Sequence, residues 1–266
     1  MNKQRLHVCL LQIEIQIGQP EENYRKVSEQ LHIAISGTAK PDVILLPEMW
    51  NTGYALEHIV QLADQYGVRT KKLIADFSRR HEVYVIAGSI ADMADGEVRN
   101  TTYVFDRTGA VIADYSKIHL FRLMNEEKHL AAGDHVGLFE LEGVSAGMMI
   151  CYDIRFPELT RKLALDGVKV VFIPAEWPNP RLHHWRTLLM ARAIENQMYI
   201  VACNRVGTSE GTEFFGHSLI IDPWGEIIAE AGEEESLVTA VLDLDLVDQV
   251  RQRIPVFEDR RPQFYE

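Results

Sequence analysis

The chain has little of what would mark a disulfide scaffold, a metalloprotein, a nucleic-acid binder or a membrane protein. Its three cysteines, Cys9, Cys151 and Cys203, are odd in number and show no C-x-x-C pairing. That excludes a disulfide framework and points to reduced thiols in a cytoplasmic setting. Ten histidines include the pair His183–His184, but there is no HExxH and no His/Cys spacing suited to zinc. Neither GxGxxG nor a P-loop occurs. Basic residues are outnumbered, 27 Lys and Arg against 39 Asp and Glu, leaving a charge of −12. With no Lys/Arg cluster, nucleic acid is not an expected partner. No apolar window is long enough to span a membrane. The apolar stretch near the start is broken by Gln12 and Glu14 and lacks a small-residue cleavage site, so a signal peptide is not expected.

What is present reads as an ordinary globular chain, 47% hydrophobic and 25% charged, large enough to need no covalent staples. HVCLLQIEI (7–15) predicts a strand and residues 20–37 an amphipathic helix opened by Pro20 and closed by Gly37. A short buried strand (42–48), a helix (68–82), a strand (83–90) and a hairpin (101–117) follow. The second half repeats that order: strand 145–151, helix 156–167, strand 168–177, helix 183–197, strand 198–206 and hairpin 217–231. VILLPE resembles VVFIPAE, VYVIAGS resembles MYIVACN, and YVFDRTGAVIA resembles LIIDPWGEIIA. Two βαβαββ halves without a linker predict one α/β domain over 1–266, with two stacked sheets and outer helices. The polar tail (about 243–266) is expected to run over the surface or a partner subunit.

Three chemically useful residues fall at predicted strand ends, where α/β sheets bind ligands. Cys151 follows the apolar run SAGMMI. A thiol reacts as thiolate and needs a proton acceptor and positive potential nearby. Viewed singly, it is more often packing than nucleophile. Glu48 ends VILLPE, either as a solvated loop residue or as a desolvated general base. Lys117 closes VIADYSK, either as a snorkelling surface lysine or as an ammonium for a developing oxyanion. A Cys–His pair using His119 is conceivable. Trp177, Trp185 and Met190 read as core or pocket wall.

LLPEMWNTGY, YSKIHLF and ICYDIRFPEL, in that order, closely resemble the active-site blocks of the nitrilase superfamily of carbon–nitrogen hydrolases. AGDHVGLFEL, ARAIENQMYIVACN and GHSLIIDPWGEIIAEA are similar to that family too. The resemblance implies a four-layer αββα sandwich and a Glu–Lys–Cys triad at Glu48, Lys117 and Cys151. It also implies a further positioning glutamate, which falls by register on Glu126 rather than Glu127, and a homodimer whose C-terminal segments cross the interface. The implied chemistry is a Cys thioester mechanism. The Tyr152 N–H and Lys117 would hold the oxyanion, without metal or organic cofactor. HLFRLMNEEKHLAAG and AEWPNPRLHHWRTLLMARAIENQ look most like bacterial omega-amidases, whose substrates are small 2-oxo acid ω-amides such as 2-oxoglutaramate and 2-oxosuccinamate.

Such substrates carry a carboxylate. Arg155 is the candidate to receive it, against the plainer reading of a salt bridge to Asp153 or Glu158. Glu176 and Trp177 are expected to form a selective pocket wall. Rival readings are another branch (an aliphatic amidase, an N-carbamoyl amidohydrolase or a nitrilase), a silent binding protein on the same fold, or a thiol redox sensor.

Overall fold

The structure, a computed structural model, describes residues 5–37 and 39–265. Its first half comprises β1 (Arg5–Gln12), α1 (Pro20–Ile35), β2 (Val43–Leu45), α2 (Val68–His81), β3 (Tyr84–Ile86), β4 (Ile90–Ala94), β5 (Glu97–Phe105) and β6 (Val111–Ser116). The second comprises β7 (Gly137–Leu141), β8 (Val144–Met148), α3 (Pro157–Leu165), β9 (Val170–Ala175), α4 (Leu182–Asn196), β10 (Tyr199–Asn204), β11 (Leu219–Ile221) and β12 (Ile227–Glu230). The strand β13 (Ser236–Asp243) and the helix α5 (Asp245–Arg253) follow.

Both halves build the same pattern. In the first sheet β1, β2 and β3 run parallel and β3 pairs antiparallel with β5. In the second, β8, β9 and β10 run parallel and β10 pairs antiparallel with β11. The repeat extends to the hairpin turns. The Asp106 carboxylate accepts from the Thr108 and Ala110 N–H groups, and Asp222 accepts from Trp224 and Glu226 in the same way.

Strand alternation sorts the side chains into layers. On β1, Leu6, Val8 and Leu10 join the core shared with the second sheet, while Cys9 and Leu11 face the helices. Helix α1 starts with Pro20 at its first turn and Glu21 and Glu22 against the N-terminal dipole. It buries Tyr24, Val27, Leu31 and Ala34 at helical spacing. Those residues, with Ile74 and Phe77 of α2, cover the outer face of the first sheet. Leu159 and Leu163 of α3 and Trp185, Leu189 and Ala193 of α4 pack into the core with the second sheet. The layers are therefore helix, sheet, sheet, helix.

Some pairings were not expected from the sequence. Three additional hairpins turn through Asp95–Gly96, Glu142–Gly143 and Glu210–Gly211, each with both residues at positive φ. The predicted strand 42–48 is shorter, ending at Leu45, so Glu48 lies in a turn beyond it. β13 pairs antiparallel with β1 along eight residues, from Arg5↔Asp243 to Gln12↔Ser236. The first part of the tail rests on its own chain. Val247 and Val250 are buried, and Arg251 donates to the Val168 carbonyl. Phe264 and Tyr265 are exposed.

Candidate active site

The carboxyl ends of the parallel strands meet at one edge of the sandwich. Glu48 follows β2, Cys151 follows β8, Glu176 follows β9 directly, and Lys117 follows β6. The turn carrying Glu48 is clamped by the exit loop of β3. Met49 N–H donates to Ser89 Oγ, Trp50 N–H to the Ser89 carbonyl, and the Trp50 indole to the Ala87 carbonyl. Gly88, at φ +59, permits that approach, because a Cβ there would lie 2.0 Å from the Pro47 carbonyl oxygen.

The sequence-predicted residues converge. Lys117 Nζ donates to Glu48 Oε1 at 2.9 Å and to Glu126 Oε1 at 2.7 Å, and all three side chains are fully buried. Glu127 is exposed, so the buried member of the pair is Glu126. Glu48 Oε1 also accepts from Asn100 Nδ2 at 2.8 Å, and Glu48 Oε2 from the Glu176 N–H at 2.7 Å. That last bond ties the two sheets together at the site. The Cys151 thiol is buried close enough to Glu48 and Lys117 for both charges to act on it.

Burial alone would push Glu48 up, but the ammonium of Lys117 and the hydrogen bonds it receives outweigh that and hold it below the usual carboxylate range. Burial would lower Lys117, yet Glu126 and Glu48 keep it well above its ordinary value. The Cys151 thiol is pushed well up, by burial first and then by the Glu48 charge. The resting site therefore holds a neutral thiol against an ionised carboxylate and an ammonium.

Cys151 has φ +45, a left-handed conformation that costs an L-residue about 1–3 kcal/mol. It starts a tight helical turn, Cys151–Arg155, rather than ending a strand. Tyr152 is the second residue of that turn, so its N–H is among the donors a helix leaves free at its start. Asp153 anchors the turn from below. Its buried carboxylate accepts from the Ile150 N–H, Tyr115 Oη, the His119 N–H and His119 Nδ1, at 2.7–3.1 Å. His119 thus serves Asp153 and stacks on Phe156 at 3.6 Å, in place of the Cys–His pair considered from sequence.

Arg155 makes no ion pair with Asp153 or Glu158 among the described residues, which corrects the plainer sequence reading. Its guanidinium lies 4.7 Å over the Trp177 ring, and it lines a pocket with Cys151, Tyr152, Glu176, Trp177 and Arg181. That pocket is tight: the space open to the centres of water-sized spheres is about 10 Å³, room for about one water. Phe121 and Met124 line it as well.

Tyr54, Asn100 and Arg205 escaped the sequence reading, and Asp153 entered it only as a salt-bridge partner for Arg155. Tyr54 is the most consequential, with its hydroxyl 2.7 Å from both Glu48 Oε1 and Glu126 Oε1 and 3.3 Å from Lys117 Nζ. The signal for it was its place in LLPEMWNTGY. Among the described residues no cluster of His, Cys, Asp and Glu is arranged to hold a metal ion. No helix among them is long and apolar enough to cross a membrane.

With this arrangement in view, the sequence profile of the carbon-nitrogen hydrolase family matches residues 7–252. The chain belongs to the carbon-nitrogen hydrolase family. Within it, this hydrolase is 46% identical to the 2-oxoglutaramate amidase of Bacillus subtilis (strain 168), over 97% of this chain and 98% of that protein. It is 31% identical to the omega-amidase NIT2 of Homo sapiens, over 97% and 96% of the two chains. A CN-hydrolase superfamily protein of Xanthomonas campestris, solved with an arsenic adduct in its active site, superimposes with a TM-score of 0.91. The two share 28% identity, over 97% of this chain and 98% of the other. The hydrolase is thus an enzyme of the omega-amidase branch of the nitrilase superfamily, with the expected αββα sandwich.

Proposed function

We propose that this enzyme hydrolyses the terminal amide of a small 2-oxo acid ω-amide, 2-oxoglutaramate or 2-oxosuccinamate, to the dicarboxylate and ammonia. The observation that carries the reading is at the pocket wall. Arg155 and Arg181 line the same pocket as Cys151, and among the described residues neither guanidinium is ion-paired to a carboxylate. Arginine matches a carboxylate with two parallel N–H donors. An amide substrate anchored there by its carboxylate presents its far end to the thiol. The named activities of the Bacillus subtilis and human relatives agree with this substrate class.

Glu48 takes the thiol proton as Cys151 Sγ attacks the amide carbon. Because the resting thiol is held neutral, transfer is coupled to attack rather than preceding it. The new oxyanion receives the Tyr152 N–H and an Lys117 N–H. Of the three Lys117 contacts, the 3.3 Å one to Tyr54 is the weakest and the easiest for the oxyanion to replace. Glu126 holds the ammonium in place. Glu48 returns the proton to the leaving nitrogen and ammonia departs from the thioester. Water then attacks, giving its proton to Glu48, and the acid and free thiol are released.

We further propose a cytoplasmic homodimer, in which the tail beyond the helix α5 reaches the partner. Exposed Ile194, Leu165, Phe264 and Tyr265 support that assembly. Ammonia release from 2-oxoglutaramate, glutamine, an N-carbamoyl amino acid and a simple nitrile tests the substrate class. Turnover is expected to be greatest with the 2-oxo acid amide. Preference for the nitrile or the carbamoyl compound would overturn the assignment.

A further inference from the structure

Three carboxyl groups, Glu48, Glu126 and Glu176, are wholly buried at one edge of the sandwich beside two buried cations, Lys117 and Arg205. Lys117 is occupied by Glu48 and Glu126. Glu176 is left with Arg205, whose Nη1 approaches Glu176 Oε2 only to 3.4 Å. The other donors of that guanidinium go elsewhere, to the Val206 carbonyl, the Ile15 carbonyl and Ser209 Oγ. Glu176 Oε1 is buried and has no hydrogen-bond partner. A carboxylate with one bare oxygen in a nearly dry pocket is costly, whereas a carboxylic acid there is not. Burial, with the Glu48 charge adding to it and Arg205 and Lys117 opposing, pushes Glu176 up to about 8.

We infer that Glu176 is a specificity-determining residue that meets the substrate as a neutral carboxylic acid, and that its ionisation closes the pocket to anionic amides. The inference rests on the assignment of anionic amides as substrates and adds a second condition for their entry, besides the arginines. The charged or titratable groups around Glu176 are Glu48 after β2, Tyr54 across the pocket, Lys117 after β6, Cys151 after β8 and Arg205 after β10. Arg155 and Arg181 stand at the pocket wall. Glu48 is held low, while Lys117, Cys151 and Tyr54 are held high. None of these four changes charge in the window where Glu176 does. Ionised, Glu176 adds a negative charge on the wall of a poorly solvated pocket, where Coulomb repulsion of an anion is strong.

The test compares kcat/KM for 2-oxoglutaramate with that for butyramide, a neutral amide, at about pH 7 and about pH 9.5. Taking the ratio cancels pH effects on the thiol chemistry common to both substrates. In the wild-type enzyme the ratio is expected to fall about tenfold across that span. In Glu176→Gln, which keeps the volume but cannot ionise, the ratio is expected to stay level. A level ratio in the wild type, or an equal fall in Glu176→Gln, overturns the inference. The wild-type profile decides by itself if the variant does not fold. No preference for the anionic amide at either pH would instead sink the substrate assignment and this inference with it, a result distinct from a preference that persists at both.

Discussion

The ammonium of Lys117 lies 2.9 Å from Glu48 Oε1, with both side chains wholly buried. Breaking one side of such a contact strands the other charge. Lys117→Met would leave Glu48 and Glu126 facing each other without a counter-charge. The expected loss is about 3–5 kcal/mol of stability, together with all measurable hydrolysis. Urea unfolding followed by circular dichroism checks the first and ammonia release the second.

Cys151→Ala is expected to lower ammonia release by at least about 10³-fold, with the far-ultraviolet spectrum unchanged. The backbone strain at φ +45 exists already in the native residue, so alanine adds little to it. Retained hydrolysis in this variant would show that another group is the nucleophile.

Tyr54 has one hydroxyl hydrogen and two carboxylates at equal distance, so it can serve only one of them at a time. Tyr54→Phe removes that donor and the acceptor for Lys117 without opening space. A hydrogen bond to a charged group is worth about 1.5–3 kcal/mol, so kcat/KM is expected to fall about 10–100-fold. The effect is expected mainly in kcat, which steady-state kinetics resolves.

How much of this site was legible in the sequence depended on the type of signal. Glu48 and Cys151 follow apolar runs and Lys117 closes a predicted strand, and a polar residue at a strand end is visible without coordinates. Tyr54 and Arg205 carry no such mark, since nothing in a turn or a strand exit tells which way the side chain points. Asp153 reads from sequence only as a salt-bridge partner for Arg155, because its donors, Tyr115 and His119, come from a distant segment. Two of the three missed hairpins share one cause: they turn on Glu-Gly rather than the Asn-Gly or Asp-Gly that identifies a two-residue turn. β13 was hidden beside the tail LDLDLVDQV, whose polarity drew the reading toward surface chain. The repeat, by contrast, was legible because both halves spell the same alternation and the same Asp-x-x-Gly turn.

The acid limb of the activity profile follows from Glu48. Its folded-state value is depressed, so its ionised form, and the stability it contributes, are present above the unfolded value and are lost as pH falls through the folded one. Lys117 is the reverse case. Its contribution is full below its unfolded value and is lost only as pH rises through a folded value set higher still. Catalysis is therefore expected to persist to a pH below about 4.3, the usual glutamate value. Initial rates with a neutral amide, taken before any unfolding, check this. An acid limb centred well above that value would assign the base to another group.

Arg155→Gln is expected to raise KM for 2-oxoglutaramate about 10–100-fold, the loss of a paired charge contact. The rise is expected to be smaller for an uncharged amide. Equal effects on both would make the Arg155–Trp177 contact a packing interaction only.

The pairing of β13 with β1 has a consequence for how the chain is made. A ribosome releases residues 5–12 early and residues 236–243 near the end of the described chain, and the two must meet as neighbours in one sheet. Until then one edge of β1 offers its N–H and C=O groups to any passing strand. The catalytic edge, built from segments before residue 206, can take shape while that seam is still open. A nascent enzyme would then be chemically equipped before it is protected from aggregation, and its last strand acts as the closure that makes it safe to release.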